Sequence, residues 1–138
     1  MIARDQLKKA VVALLDSLAA EHPLGHQDSK AARYVLTTSG GAQIELMFEK
    51  NAQVPANLWC LEKAVARLVG GPSATASPAS VLHAKKNAKG QPLYGRHSSL
   101  ENMPQLGNAD LIHFRLKSLS DAGVVLDHLL TVTPAELR

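Results

Sequence analysis

The run from Arg33 to Phe48 constrains this chain most. Arg33-Tyr34-Val35-Leu36-Thr37-Thr38 is dense in β-formers, and Ser39-Gly40-Gly41 follows with residues that tolerate positive φ. The return segment alternates, with Ala42, Ile44, Leu46 and Phe48 on one side and Gln43, Glu45 and Met47 on the other. Two strands joined by so short a turn must pair antiparallel. A fold built around them carries a hairpin rather than a doubly wound parallel sheet.

The flanks supply helices. Leu7, Val11, Leu14, Leu15 and Leu18 line one stripe within the first twenty residues, with Lys8, Lys9 and Asp16 off it. His22-Pro23 and Gly25 are expected to stop that helix and open an exposed loop to Lys30. Near the other end, Asp110–Lys117 alternates again: Ile112, Phe114 and Leu116 inward, His113, Arg115 and Lys117 outward. Ser120-Asp121 is expected to cap a final helix carrying Ala122, Val125, Leu126, Leu129 and Leu130, ended by Thr133-Pro134.

The middle is less regular. A helix is expected over Glu62–Val69, and Leu58–Leu61 reads either as its first turn or as a short strand. Residues 70–79 form a flexible loop of Gly, Pro, Ser and Ala within a single domain, 1–138. Ser80–Ala84 reads as a short strand, and Ser98 with Glu101 has capping-box spacing for a short helix limited by Pro104. The expected class is therefore α+β, a small and mostly antiparallel sheet packed against the N- and C-terminal helices.

Composition narrows the function classes. One Trp, two Tyr and two Phe make an aliphatic core, and leave few rings for stacking single-stranded bases. A single cysteine, Cys60, excludes an internal disulfide and a multi-thiolate zinc site, and its apolar neighbours suggest an inert thiol. His22 and His26 are separated by Pro23 and Gly25, and the remaining histidines are scattered, so no metal or cofactor is expected. No apolar run reaches the ~18–20 residues a membrane span needs, and the charged N-terminus does not resemble a signal peptide. A cytoplasmic setting is the expectation.

Charge gives the one functional lead. The formal net charge is +3, yet Lys63 to Leu100 contains no acid while holding Lys63, Arg67, Lys85, Lys86, Lys89 and Arg96. A local basic field attracts phosphates or acidic partners. Lys85, Lys86 and Lys89 suit a hairpin tip or mobile loop, and Tyr94-Gly95-Arg96-His97-Ser98 has the parts of an anion-binding corner. In that corner Arg96 either grips a phosphate or pairs with Glu101 or Asp110. If the late strand lies beside the loop, Arg115, Lys117 and His113 extend the patch.

The reading is a non-catalytic nucleic-acid-binding module, accessory to DNA or RNA processing. Lys85, Lys86, Lys89, Arg96, Arg115 and Lys117 would contact phosphates, with Tyr94 and His97 against bases or sugars. One alternative is a protein-interaction or homodimerisation module whose basic loop meets an acidic partner. Another is a phosphoesterase or nuclease using Arg96 and His97, although no nucleophile elbow, phosphate loop or dinucleotide fingerprint is present.

Overall fold

A computed structural model describes residues 3–138, so Met1 and Ile2 of the expected first helix lie outside the described residues. The fold is α+β, with a six-stranded antiparallel sheet in the order β1-β2-β3-β4-β6-β5. In chain order these are α1 (Arg4–Leu18), β1 (Ala20–Glu21), β2 (Ala31–Thr37), β3 (Gln43–Glu49), β4 (Ala56–Leu61), α2 (Glu62–Val65), β5 (Ala74–Ser77), β6 (Leu111–Leu116) and α3 (Leu119–Leu129). The expected hairpin is β2–β3, paired in full from Ala31–Glu49 to Thr37–Gln43. At its turn a Cβ on Gly40 would stand 2.5 Å from the Val132 carbonyl oxygen, so only glycine lets the turn reach the segment that follows α3.

One face of the sheet is the main core. Tyr34, Leu36, Ile44, Leu46, Phe48, Leu58, Cys60, Phe114 and Leu116 meet Leu7, Val11 and Leu15 of α1 and Ala122, Val125, Leu126 and Leu129 of α3. The Tyr34 hydroxyl rises out of this layer to donate to Asp16 at 2.8 Å. The chain therefore hides its apolar stripes between helices and sheet, which is the principal stabilising term for a domain of this size.

The opposite face is half covered. Glu45, Met47, Glu49 and Trp59 point that way, and all are buried. The cover is the irregular segment 96–107, which buries Ser99, Leu100, Met103 and Leu106. Charged side chains fasten it. Glu45 accepts the backbone N–H groups of Gln105 (2.7 Å) and Leu106 (2.9 Å), while Gln105 Oε1 accepts the Glu45 N–H at 2.7 Å. Arg33 donates to the carbonyls of Gly25, Leu24 and Ser99, tying the same segment to the β1–β2 loop.

Several local expectations need correction. His22 is not in an exposed loop: it is buried, its Nε2 2.5 Å from Glu45 Oε2, because β1 returns the chain to β2. Lys8 lies off the apolar stripe yet is buried, donating to the Asn51 carbonyl. Leu58–Leu61 belongs to strand β4, and the helix after it keeps only Glu62–Val65. Within 70–79, Ala74–Ser77 pairs with β6 as an edge strand. Ser80–Ala84 is no strand; the chain makes a 3-10 turn at Ala79–Val81. His97 rather than Ser98 caps a 3-10 turn over Ser98–Leu100, and Ser118 rather than Ser120 caps α3, accepting the Asp121 N–H at 3.1 Å.

Candidate nucleic-acid interface

Lys85, Lys86 and Lys89 sit on a hydrogen-bonded hairpin. Leu93 N–H donates to the Lys85 carbonyl at 2.9 Å, Lys86 bridges to Pro92, and Asn87 N–H donates to the Gln91 carbonyl at 2.9 Å. The Asn87 side chain organises the tip, its Oδ1 accepting the N–H groups of Lys89 (2.9 Å) and Gln91 (3.0 Å). Gly90 closes the turn at φ +78°, a conformation other residues reach only with strain. All three lysines are exposed and none makes an ion pair among the described residues.

The base of this hairpin is held by Arg96. Its Nε donates to Ser77 Oγ (2.8 Å), and its Nη2 to the carbonyls of Ser77 (2.5 Å) and Ala109 (2.7 Å). Nη1 makes longer contacts to the Leu106 and Gly107 carbonyls, both 3.4 Å. The fork thus clamps three chain segments together and meets neither Glu101 nor Asp110. Tyr94 contributes to the same joint, donating its hydroxyl to the Gly107 carbonyl at 2.8 Å. Burial raises that phenol's pKa, with Arg96 pulling it back.

His97 is half-buried. Its Nδ1 accepts the Ser99 N–H at 3.1 Å, which leaves the proton of the neutral ring on Nε2. Burial lowers its pKa, Glu49 opposes that shift, and Lys30 adds to it. The ring is therefore neutral near pH 7 and engaged as a cap.

Arg115 and Lys117 lie elsewhere, at the uncovered end of the second face. The β4–β6 and β5–β6 registers set Thr75, His113 and Trp59 in one row, with Arg115 beside Asn57. Ser73 joins that second row, its carbonyl accepting the Arg115 N–H at 2.9 Å. Around these rows is a cavity of about 490 Å³ lined by Asn57, Ser73, Thr75, His113, Arg115 and Lys117, together with Pro55. No carboxylate lines it, and none of the hairpin lysines does either.

His113 stacks on Trp59 with ring centroids 4.4 Å apart, and its buried Nδ1 has no hydrogen-bond partner. Burial lowers its pKa, against the pull of Glu49. Glu49 stays beneath the surface, accepting the Trp59 indole N–H at 2.9 Å. The sequence marks His113, Arg115 and Lys117 by their outward alternation. It does not mark Asn57, Ser73 and Thr75, which read as turn and loop residues. The structure therefore brings the basic residues into two groups, a hairpin tip and a sheet-face depression, rather than one continuous lining.

Among the described residues no helix is long and apolar enough to cross a membrane. No protein-family model, curated protein or solved structure matches the chain.

Proposed function

We propose that this protein is a non-catalytic nucleic-acid-binding module of a reducing, cytoplasmic compartment, which meets the phosphate backbone through two basic features. The observation that carries this reading is the acid-free depression on the open end of the sheet. It holds two cationic side chains, Arg115 and Lys117, among hydroxyl, amide and imidazole groups suited to phosphate oxygens. Lys85, Lys86 and Lys89 on the hairpin supply a second point of attachment. Arg96 and Tyr94 hold that hairpin in position, and His97 caps the covering segment; these three support the contacts rather than make them.

Backbone contacts of this kind give affinity without sequence preference. The test is fluorescence anisotropy with labelled single- and double-stranded DNA and RNA over a salt series. Binding is expected at micromolar or tighter Kd in low salt and weakens steeply as salt rises. Each neutralised duplex phosphate contributes about 0.9 to the log–log slope. Lys85→Glu with Lys86→Glu, and separately Arg115→Ala with Lys117→Ala, each lower the slope by about 2. Absence of binding at low salt would overturn the reading.

A further inference from the structure

The sheet ends on β5, and this edge has an unusual internal symmetry. The segment reads Pro72-Ser73-Ala74-Thr75-Ala76-Ser77-Pro78, the same in both directions about Thr75. In an antiparallel pair the two-fold axis relates a strand to its reversed copy, so a palindromic strand opposes each residue with its own kind. Ala74 meets Ala76 of a second copy, and Thr75 meets Thr75.

The backbone matches this reading. Arg115 N–H donates to the Ser73 carbonyl, so Ser73, Thr75 and Ser77 direct their polar backbone groups inward at β6. Ala74 and Ala76 then direct theirs outward, where among the described residues no strand pairs with them. The next outward positions on either side are Pro72 and Pro78, which have no N–H to offer. The free edge thus presents two N–H and two C=O groups between two prolines. Two-fold pairing centred on Thr75 satisfies all four in each copy and leaves no outward donor unused. An unrelated strand gains nothing from the palindrome.

Between the two prolines the edge carries no charge to oppose self-pairing, since Ala74, Thr75 and Ala76 are exposed and uncharged. Beside it on the helix side is a hollow of about 130 Å³ lined by Val65, Leu68, Ala74, Ile112 and Phe114 with Gly71 and Pro72, and Val69 nearby is 90% exposed. That apolar surface gives a second copy something to bury besides backbone.

We infer that the chain forms a two-fold homodimer by antiparallel pairing of β5 with β5 of a second copy, making one continuous twelve-stranded sheet from two of six. The two β6 strands then stand three strand spacings apart, about 14 Å. Both sheet-face depressions open on the same side.

Sedimentation equilibrium of the full chain tests this, with two substitutions that act locally. Wild type sediments at twice the chain mass, and Ala76→Pro, which removes an outward N–H and no β6 bond, sediments as monomer. Thr75→Cys provides an independent readout if Ala76→Pro folds poorly. Facing non-hydrogen-bonded residues have Cα atoms about 4.5 Å apart, within disulfide range, so mild oxidation links this variant into covalent dimers. Ala74→Cys faces Ala76 instead of its twin and does not link. A wild-type chain that stays monomeric at 100-fold higher loading overturns the proposal, including the case where the edge accepts only a strand from another protein. So does a dimer that survives Ala76→Pro and leaves Thr75→Cys unlinked.

Discussion

Arg96 separates a structural cation from a ligand-binding one, and its replacement has a calculable effect. Arg96→Ala removes three short hydrogen bonds of 2.5–2.8 Å and two marginal ones at 3.4 Å. A hydrogen bond to a charged group contributes about 1.5–3 kcal/mol net, and such terms do not add fully. The register gives the Ser77 carbonyl a second partner in the β5–β6 ladder, so its loss is partial. Ser77 Oγ and the Ala109 carbonyl regain water once the guanidinium is gone, because the site is only part-buried. The net expectation is a loss of about 3 kcal/mol, or roughly 10 °C in Tm for a domain of this length. Arg96→Lys recovers less than half, since an ammonium cannot serve acceptors in three directions. Thermal and urea unfolding followed by circular dichroism measures both. In the folded state at low temperature, Arg96→Lys keeps the salt dependence of nucleic-acid binding. A Tm within about 2 °C of wild type, accompanied by weakened binding, would refute the clamp and return Arg96 to the phosphate-contacting set.

Three further outcomes follow from buried titrating groups. Burial holds the His113 pKa below its ordinary 6.5, so the unfolded chain takes up this proton first as pH falls. Its contribution to stability is full above pH 6.5 and erodes between 6.5 and the lower folded value. His97 behaves likewise, so urea midpoints drop on acidification from pH 7.5 and drop less in His113→Gln; an unchanged pH dependence in that variant would count against the assignment. A bound phosphate raises the His113 pKa again, so anisotropy should show tighter binding at pH 6 than at pH 8, and His113→Gln should flatten the difference. Cys60 is wholly buried and its thiol pKa is pushed upward by that burial. An aromatic disulfide reagent titrates no thiol in the native protein and one per chain in urea; rapid native labelling would contradict the packing.

The parts of the fold legible in the sequence are those where one physical rule decides the element. The β2–β3 hairpin follows from alternation plus a two-glycine turn, and α3 from an unbroken apolar stripe. The errors lie where tertiary contacts override local preference. Ala74–Ser77 carries no side chain large enough to signal a strand, and it becomes one because β6 offers an unpaired edge. Glu62–Val69 has helical spacing, but Leu58–Leu61 is taken by the ladder to β6 and leaves a single turn of helix. Of the site, the outward positions His113, Arg115 and Lys117 were readable from period two. The roles of Arg96, Tyr94 and His97 were not, because each depends on carbonyls or N–H groups that folding brings from other segments.

That distinction explains why net charge is a poor guide to this surface. The chain uses several ionic side chains as internal fasteners: Arg33 and Arg96 on carbonyls, Lys8 on Asn51, Glu45 on two N–H groups and His22. Such groups hold irregular segments 22–27 and 96–109 to the sheet without the regular ladder that β-structure would supply. They gain most from fixed geometry and contribute least to a partner, whose phosphates would have to displace bonds already made. Lys85, Lys86 and Lys89 on the hairpin, and Arg115 and Lys117 at the depression, have no such acceptor among the described residues and are free to act. On the proposed reading, their value to a nucleic acid comes from remaining unpaired and solvated in the free protein, because releasing counterions from phosphate then costs no protein contact. The sheet face has a covered end, where charge builds the fold, and an open end, where charge is left available. The boundary between them is the row Thr75, His113 and Trp59, so on the proposed reading a change in that row alters packing and binding together.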